Sequence, residues 1–126
     1  MIEDYYGLNP YELAKEEKTK MLTKELIELT EFHREHCPEY RNIVGALNYD
    51  AENVQSYYDI PFFPVRLFKE MDLISIERDK LFKTMTSSGT TGQHPSKIFL
   101  DKDTAITQQK VMIKILGDYF GKHRVP

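Results

Sequence analysis

Small alcohols and glycines crowd one short stretch of this chain. Residues 85–101 read MTSSGTTGQHPSKIFLD, and eight of these positions are Ser, Thr or Gly. Gly89 and Gly92 let the backbone turn sharply and let a ligand come close to main-chain N–H groups. Ser87, Ser88, Thr90 and Thr91 add hydroxyls that donate to anionic oxygens without bringing negative charge. Lys97, just past Pro95, can supply an ammonium at the exit. Such a set forms a phosphate cradle of backbone nest, hydroxyls and one cation. It is not the Walker A loop, which needs G-x-x-x-x-G-K-[ST] running into a helix, and G-x-G-x-x-G is absent too. The plainer alternative is a flexible Ser/Thr/Gly turn between two strands. His94 suits either a phosphate contact or a solvated loop tip.

Other reactive residues are weighed the same way. His33 and His36 lie three apart with Cys37 next, a spacing that matches no strong zinc pattern, so no metal site is expected there. Cys37 could accept an acyl group, but a cysteine before Pro38 at a helix end reads better as a packed residue. Tyr57, Tyr58, Phe62, Phe63 and Phe68 could line an acyl pocket; packing the helices against the sheet is the simpler role.

The elements that must position these residues follow from pattern. Asn9, Pro10 and Glu12 form a helix-start signal. From Glu16 onward, Met21, Leu22, Glu25, Leu26, Leu29, Phe32 and His33 recur three and four apart. That helix should stop near His36, because Pro38 disfavours helix at the residue before it. PEYRNIVGAL reads as a shorter helix, and residues 48–71 as loop and turns with a brief helix near Pro64. DLIS and KLFKTMT are expected strands, the second entering the hydroxyl-rich loop, and KIFL is the strand leaving it. Asp101 or Asp103 should cap a final helix carrying Ala105, Val111, Met112, Ile115, Leu116 and Tyr119, with Gly121 as its stop.

Composition bounds the class. The chain has 126 residues, 40% of them apolar and 29% charged, which suits one small globular domain. Its 17 basic and 20 acidic side chains give a net charge of -3, no electrostatic reason to expect nucleic acid. The start MIEDYYGLNP has no signal-peptide core, and no apolar run is long enough for a bilayer. A single cysteine excludes an internal disulfide framework. A cytoplasmic protein without nucleic-acid or membrane partners is expected. The whole chain, 1–126, reads as one α/β piece: helical over 1–58, then strand, loop, strand and helix over 59–126.

At the loop the sequence resembles a known superfamily. Ser87-Ser88-Gly89-Thr90-Thr91-Gly92, followed by Pro95 and Lys97, is similar to the phosphate-binding loop of adenylate-forming acyl and aryl ligases, [ST]-[ST]-G-[ST]-T-G-x-P-K. Gln93, His94 and Ser96 make this loop longer than that pattern. Within the superfamily the sequence most resembles the acyl-protein synthetases of bacterial luminescence, and next the phenylacetate–coenzyme A ligases. FHREHCPEYRNIV, DIPFFPVRLFKEMDL and KIFLDKDTA resemble further stretches of those families. The resemblance implies the leading, incomplete portion of an adenylate-forming large domain. It implies a reaction in which a carboxylate, a fatty acid, attacks the α-phosphorus of ATP with Mg²⁺, and the acyl group then passes to a thiol on a protein or on coenzyme A. Thr86, Ser87, Ser88, Gly89, Thr90, Thr91, Gly92 and Lys97 would hold the phosphates, and no catalytic residue is identified. The adenine-binding and C-terminal machinery of such ligases lies further along their chains, so this chain alone is expected to be inactive. Self-association or a partner chain should cover its open sheet. The alternative is a non-catalytic nucleotide-binding or interaction module.

Overall fold

A computed structural model describes residues 7–9, 12–87 and 94–121 of the chain. Helix α1 spans Lys15–His36. The Asn9 signal produces only a turn, with the Glu12 N–H donating to the Asn9 carbonyl at 3.1 Å, and Pro10 lies outside the described residues. The helix begins after Ala14, whose extended backbone carries no side-chain cap; Glu16 and Glu17 instead offset the positive end. At the other end the sequence expectation meets the structure. Cys37 is extended ahead of Pro38, and helix α2, Pro38–Ala46, starts with that proline in its first turn. Arg41 bridges the break, donating to the carbonyls of Arg34 at 2.9 Å and Glu35 at 2.7 Å. Helix α2 ends in a Schellman turn. Asn48 takes a left-handed φ of 55°, its N–H reaches the Gly45 carbonyl, and the Tyr49 N–H reaches that of Val44.

The side of α1 that packs takes in only part of the expected stripe: Leu26 and His33 are half-buried at its edge. Leu22, Leu29 and Phe32 stay roughly half exposed, while Thr23 and Thr30 are buried. Each threonine returns its proton to the helix, Thr23 to the Thr19 carbonyl and Thr30 to that of Leu26, both at 2.7 Å. A hydroxyl satisfied in this way carries little burial cost, so the threonine line can face inward with Cys37. Cys37 and Val44 are the fully buried side chains between α1 and α2.

After α2 come short 3-10 turns at Ala51–Asn53 and Tyr57–Asp59, then α3, a single turn over Leu67–Glu70. The second turn closes with a capping box between Ser56 and Asp59, and the Tyr57 N–H docks onto Thr23 Oγ1 at 2.9 Å. The expected strand DLIS does not form; residues 72–75 are irregular. A strand needs a ladder partner, and this segment is held instead by side-chain bonds, His33 Nδ1 to Ser75 Oγ at 2.7 Å and Lys97 Nζ to Asp72 Oδ1 at 3.2 Å. The expected strand KLFKTMT shortens likewise. Lys80 ends a 3-10 turn, Arg78–Lys80, and only Lys83–Thr86 is strand β1.

Strand β2 spans Lys97–Leu100, the KIFL of the sequence reading. The two strands form an antiparallel pair with Lys83 opposite Leu100, Thr84 opposite Phe99, Met85 opposite Ile98 and Thr86 opposite Lys97. No other strand pairs with them among the described residues. The chain then turns directly into α4, Lys102–Phe120. Asp101 caps it, accepting from the Thr104 N–H at 2.7 Å, and Gly121 stops it at φ 76°. Leu100 and Ala105 bury the junction. Further along, Met112, Ile113, Leu116, Tyr119 and Phe120 form a stripe on α4 that solvent reaches. The chain exposes 10314 Å², against about 7,000 Å² for a compact monomer of its mass. The α4 stripe, 46–71% exposed, lacks packing cover among the described elements.

Candidate functional site

The hydroxyl-rich loop leaves and re-enters a hairpin, and the residues at its base are closely fixed. Thr86 and Lys97 make the last strand pair. One step outward the main-chain ladder continues, the Ser87 N–H donating to the Ser96 carbonyl at 3.1 Å. The Ser96 N–H then donates to Ser87 Oγ at 3.0 Å. This clasp satisfies an amide on a residue that is only 8% exposed, where an unpaired donor would be costly. Serine suits the position because its oxygen accepts from Ser96 while its own proton remains free to donate elsewhere. Ser87 is thus a structural closure and a potential ligand at once.

Of the phosphate candidates, Thr86, Ser87 and Lys97 are brought together at the mouth. Ser88, Gly89, Thr90, Thr91 and Gly92 lie outside the described residues. The pairing places Thr84, Thr86, Lys97 and Phe99 on one face of the ribbon, because side chains alternate and partners share a face. His94 is exposed and Pro95 half-buried.

Lys97 does not stand alone. Its Nζ lies 3.2 Å from Asp72 Oδ1, with both side chains about half exposed. Asp72 follows α3, whose last turn is completed by the Met71 N–H bonding to the Leu67 carbonyl at 2.8 Å. Three residues beyond it, Ser75 is tied to His33. Burial lowers the His33 pKa, and neighbouring His36 lowers it further, so the ring is neutral near neutral pH and can share one proton with the serine. Sequence reasoning missed Asp72. Its sole local signal is a carboxylate among apolar neighbours in KEMDLIS, and nothing there points to a lysine far along the chain.

The remaining candidates resolve into packing. His36 Nδ1 bonds the Phe32 carbonyl at 2.8 Å and its ring stacks on Phe32 at 4.4 Å. His33, Tyr40, Phe63 and Phe68 continue the ring contacts at 5.8–6.1 Å. Cys37 is completely buried, its Sγ 3.6 Å from Glu39 Oε2, which rules out an acyl-accepting role in this state. Among the described residues no three His, Cys, Asp or Glu side chains gather as metal ligands would. The aromatic run divides: Phe63 and Phe68 pack, whereas Phe62 is 91% exposed. A cleft of about 200 Å³ between Leu47 and Pro61 is smaller than usual ligand sites, and its Asp50 and Asp59 carboxylates already cap local turns. No described helix is long and apolar enough to cross a membrane.

Comparison with known proteins gives the hairpin a context. A family model described as "Acyl-protein synthetase, LuxE" matches residues 2–125. A long-chain-fatty-acid–luciferin-component ligase of Photorhabdus luminescens is 32% identical over 87 residues, which are 69% of this chain and 74% of that protein. Proteins of the same name from Aliivibrio fischeri and Vibrio harveyi are 29% and 32% identical over 114 and 77 residues. Those matches take in 88% and 60% of this chain but 30% and 20% of the two relatives. No solved structure matches the chain.

Proposed function

Because the chain belongs to the acyl-protein synthetase family, an enzyme family of ligases, we propose that it supplies the ATP-tail-binding part of a ligase that activates a long-chain fatty acid. The carboxylate oxygen attacks the α-phosphorus of ATP, the bond to the bridging oxygen breaks, and pyrophosphate departs. A thiol then attacks the acyl carbon of the adenylate and AMP leaves. The acceptor thiol belongs to a protein rather than to coenzyme A, a choice supported by the acyl-protein wording of the family's description. Since two of the relatives extend well beyond the matched stretch, the complete reaction is assigned to these residues together with further ligase polypeptide. The broader fold of this reading is the adenylate-forming one.

The observation that carries the proposal is the base of the hairpin. Two strands and the Ser87–Ser96 clasp fix the ends of a Ser/Thr/Gly loop, and a lysine stands at its mouth. Repulsion between an attacking carboxylate and a triphosphate is the main electrostatic obstacle to adenylation, and fixed donors lower it. Main-chain amides, the free Ser87 proton and the Lys97 ammonium are suitable donors. Mg²⁺ fits as an ion that arrives on the nucleotide, coordinated largely by phosphate oxygens and water; it supplies charge neutralisation. The stripe on α4 is the surface that self-association or a partner chain would cover. Calorimetry with ATP–Mg²⁺ tests the loop. Gly89→Ala should weaken binding by about tenfold or more, since this reading asks of residue 89 the backbone freedom that only glycine supplies. Equal affinity in the two proteins would refute the assignment.

A further inference from the structure

We infer that Asp72 is a positioning residue for Lys97, holding the ammonium beside the loop mouth when no anion is bound and yielding it to a polyphosphate. This rests on the reading of the loop as a phosphate site and goes beyond it by assigning a residue that no motif contains.

The two partners differ in freedom. Asp72 sits on a short span fixed on one side by the last turn of α3 and on the other by the His33–Ser75 bond. Its carboxylate is therefore the stationary member. Lys97 begins β2, so its Cα is fixed by the pairing with Thr86, but its ammonium rides on a flexible four-carbon stem. At 3.2 Å and about half exposed on both sides, the pair is strong enough to orient the stem and weak enough to exchange. Water can replace either partner as they separate, so neither charge is stranded. A di- or triphosphate at the mouth offers several oxygens and more charge than one carboxylate, and draws the ammonium across. When pyrophosphate leaves, Asp72 recovers the lysine.

Asp72 therefore lowers resting affinity for anions and shortens the stay of the product. Its removal should tighten binding, the opposite of what loss of a ligand or of structure would do. The test is calorimetric titration of the full-length protein with inorganic pyrophosphate and Mg²⁺, using wild type, Asp72→Asn, Asp72→Glu, Lys97→Met, Gly89→Ala and the Asp72→Asn/Lys97→Met double variant. Asp72→Asn should bind pyrophosphate up to about fivefold more tightly, the range set by an exposed ion pair, and Asp72→Glu should return toward wild type. Lys97→Met should bind more weakly, and adding Asp72→Asn to it should change nothing further. Unchanged or weaker binding by Asp72→Asn, while Gly89→Ala and Lys97→Met still impair binding, would overturn the role of Asp72 and leave the loop assignment standing. Pyrophosphate binding indifferent to both Gly89→Ala and Lys97→Met would instead refute the loop assignment, and this inference with it.

Discussion

Replacing Ser87 with alanine separates the two roles that its side chain combines. The substitution deletes the oxygen that accepts the Ser96 N–H at 3.0 Å but leaves the main-chain bond from Ser87 to Ser96 in place. Ser96 is 8% exposed, so its amide loses its partner without ready access to water. An unsatisfied buried donor costs about 1–3 kcal/mol. Relaxation at the edge of a two-stranded ribbon should keep the value near the lower bound, and 1.4 kcal/mol corresponds to about tenfold in an opening equilibrium. Amide hydrogen exchange followed residue by residue is the suitable assay. In Ser87→Ala the Ser96 amide should exchange about tenfold faster, with Val44, buried on α2, unchanged. Ser87→Thr retains the acceptor and should retain the protection. Wild-type exchange at Ser96 in the alanine variant would show that the clasp does not hold the loop ends, and the case for a preorganised mouth would fail.

Two further outcomes concern the supports of the site. Asp101→Ala removes the cap of α4 and should cost about 1 kcal/mol in urea unfolding, with Asp101→Asn close to wild type. The bond from Thr104 lowers the Asp101 pKa, so this contribution is complete above the ordinary carboxylate range and disappears as pH falls through the lower folded value. His33 acts in a different window. Its pKa is lowered by burial and then by His36, so the unfolded chain takes up the proton first as pH drops. The neutral ring's contribution is full above about pH 6.5 and declines below it. Urea midpoints measured between about pH 7 and pH 5 should fall more steeply for wild type than for His33→Asn; parallel slopes would contradict this.

Local chemistry was readable where one residue type determines one backbone state. Pro38 set the boundary between α1 and α2, Asp101 opened α4, and Gly121 closed it at positive φ. The strand after the loop was legible because KIFL is short, apolar and flanked by Pro95 and Asp101. Two misreadings share a cause. DLIS has strand-forming residues, but strand formation depends on a neighbour that no window of sequence contains. The face of α1 was assigned by apolarity, yet Thr23 and Thr30 face inward because each quiets its own hydroxyl within the helix. The pairings that build the mouth were equally hidden. Ser87 with Ser96 joins ends of a loop, and Asp72 with Lys97 joins distant segments; sequence displays the partners without the pairing.

The way α1 engages its surroundings has a mechanical corollary. Greasy contacts tolerate slippage, because a leucine displaced by one turn finds a similar neighbour. A hydroxyl that receives the amide of Tyr57, and an imidazole that meets the oxygen of Ser75, are directional contacts, and the like residue one turn from the second, His36, is already engaged with the Phe32 carbonyl. The helix thereby works as an indexed rail with two notches, at Thr23 and His33, and chain strung between them is laid down at a defined spacing. Asp72 inherits its coordinates from the second notch, so a change at His33 would alter where the lysine of a remote strand can park its charge.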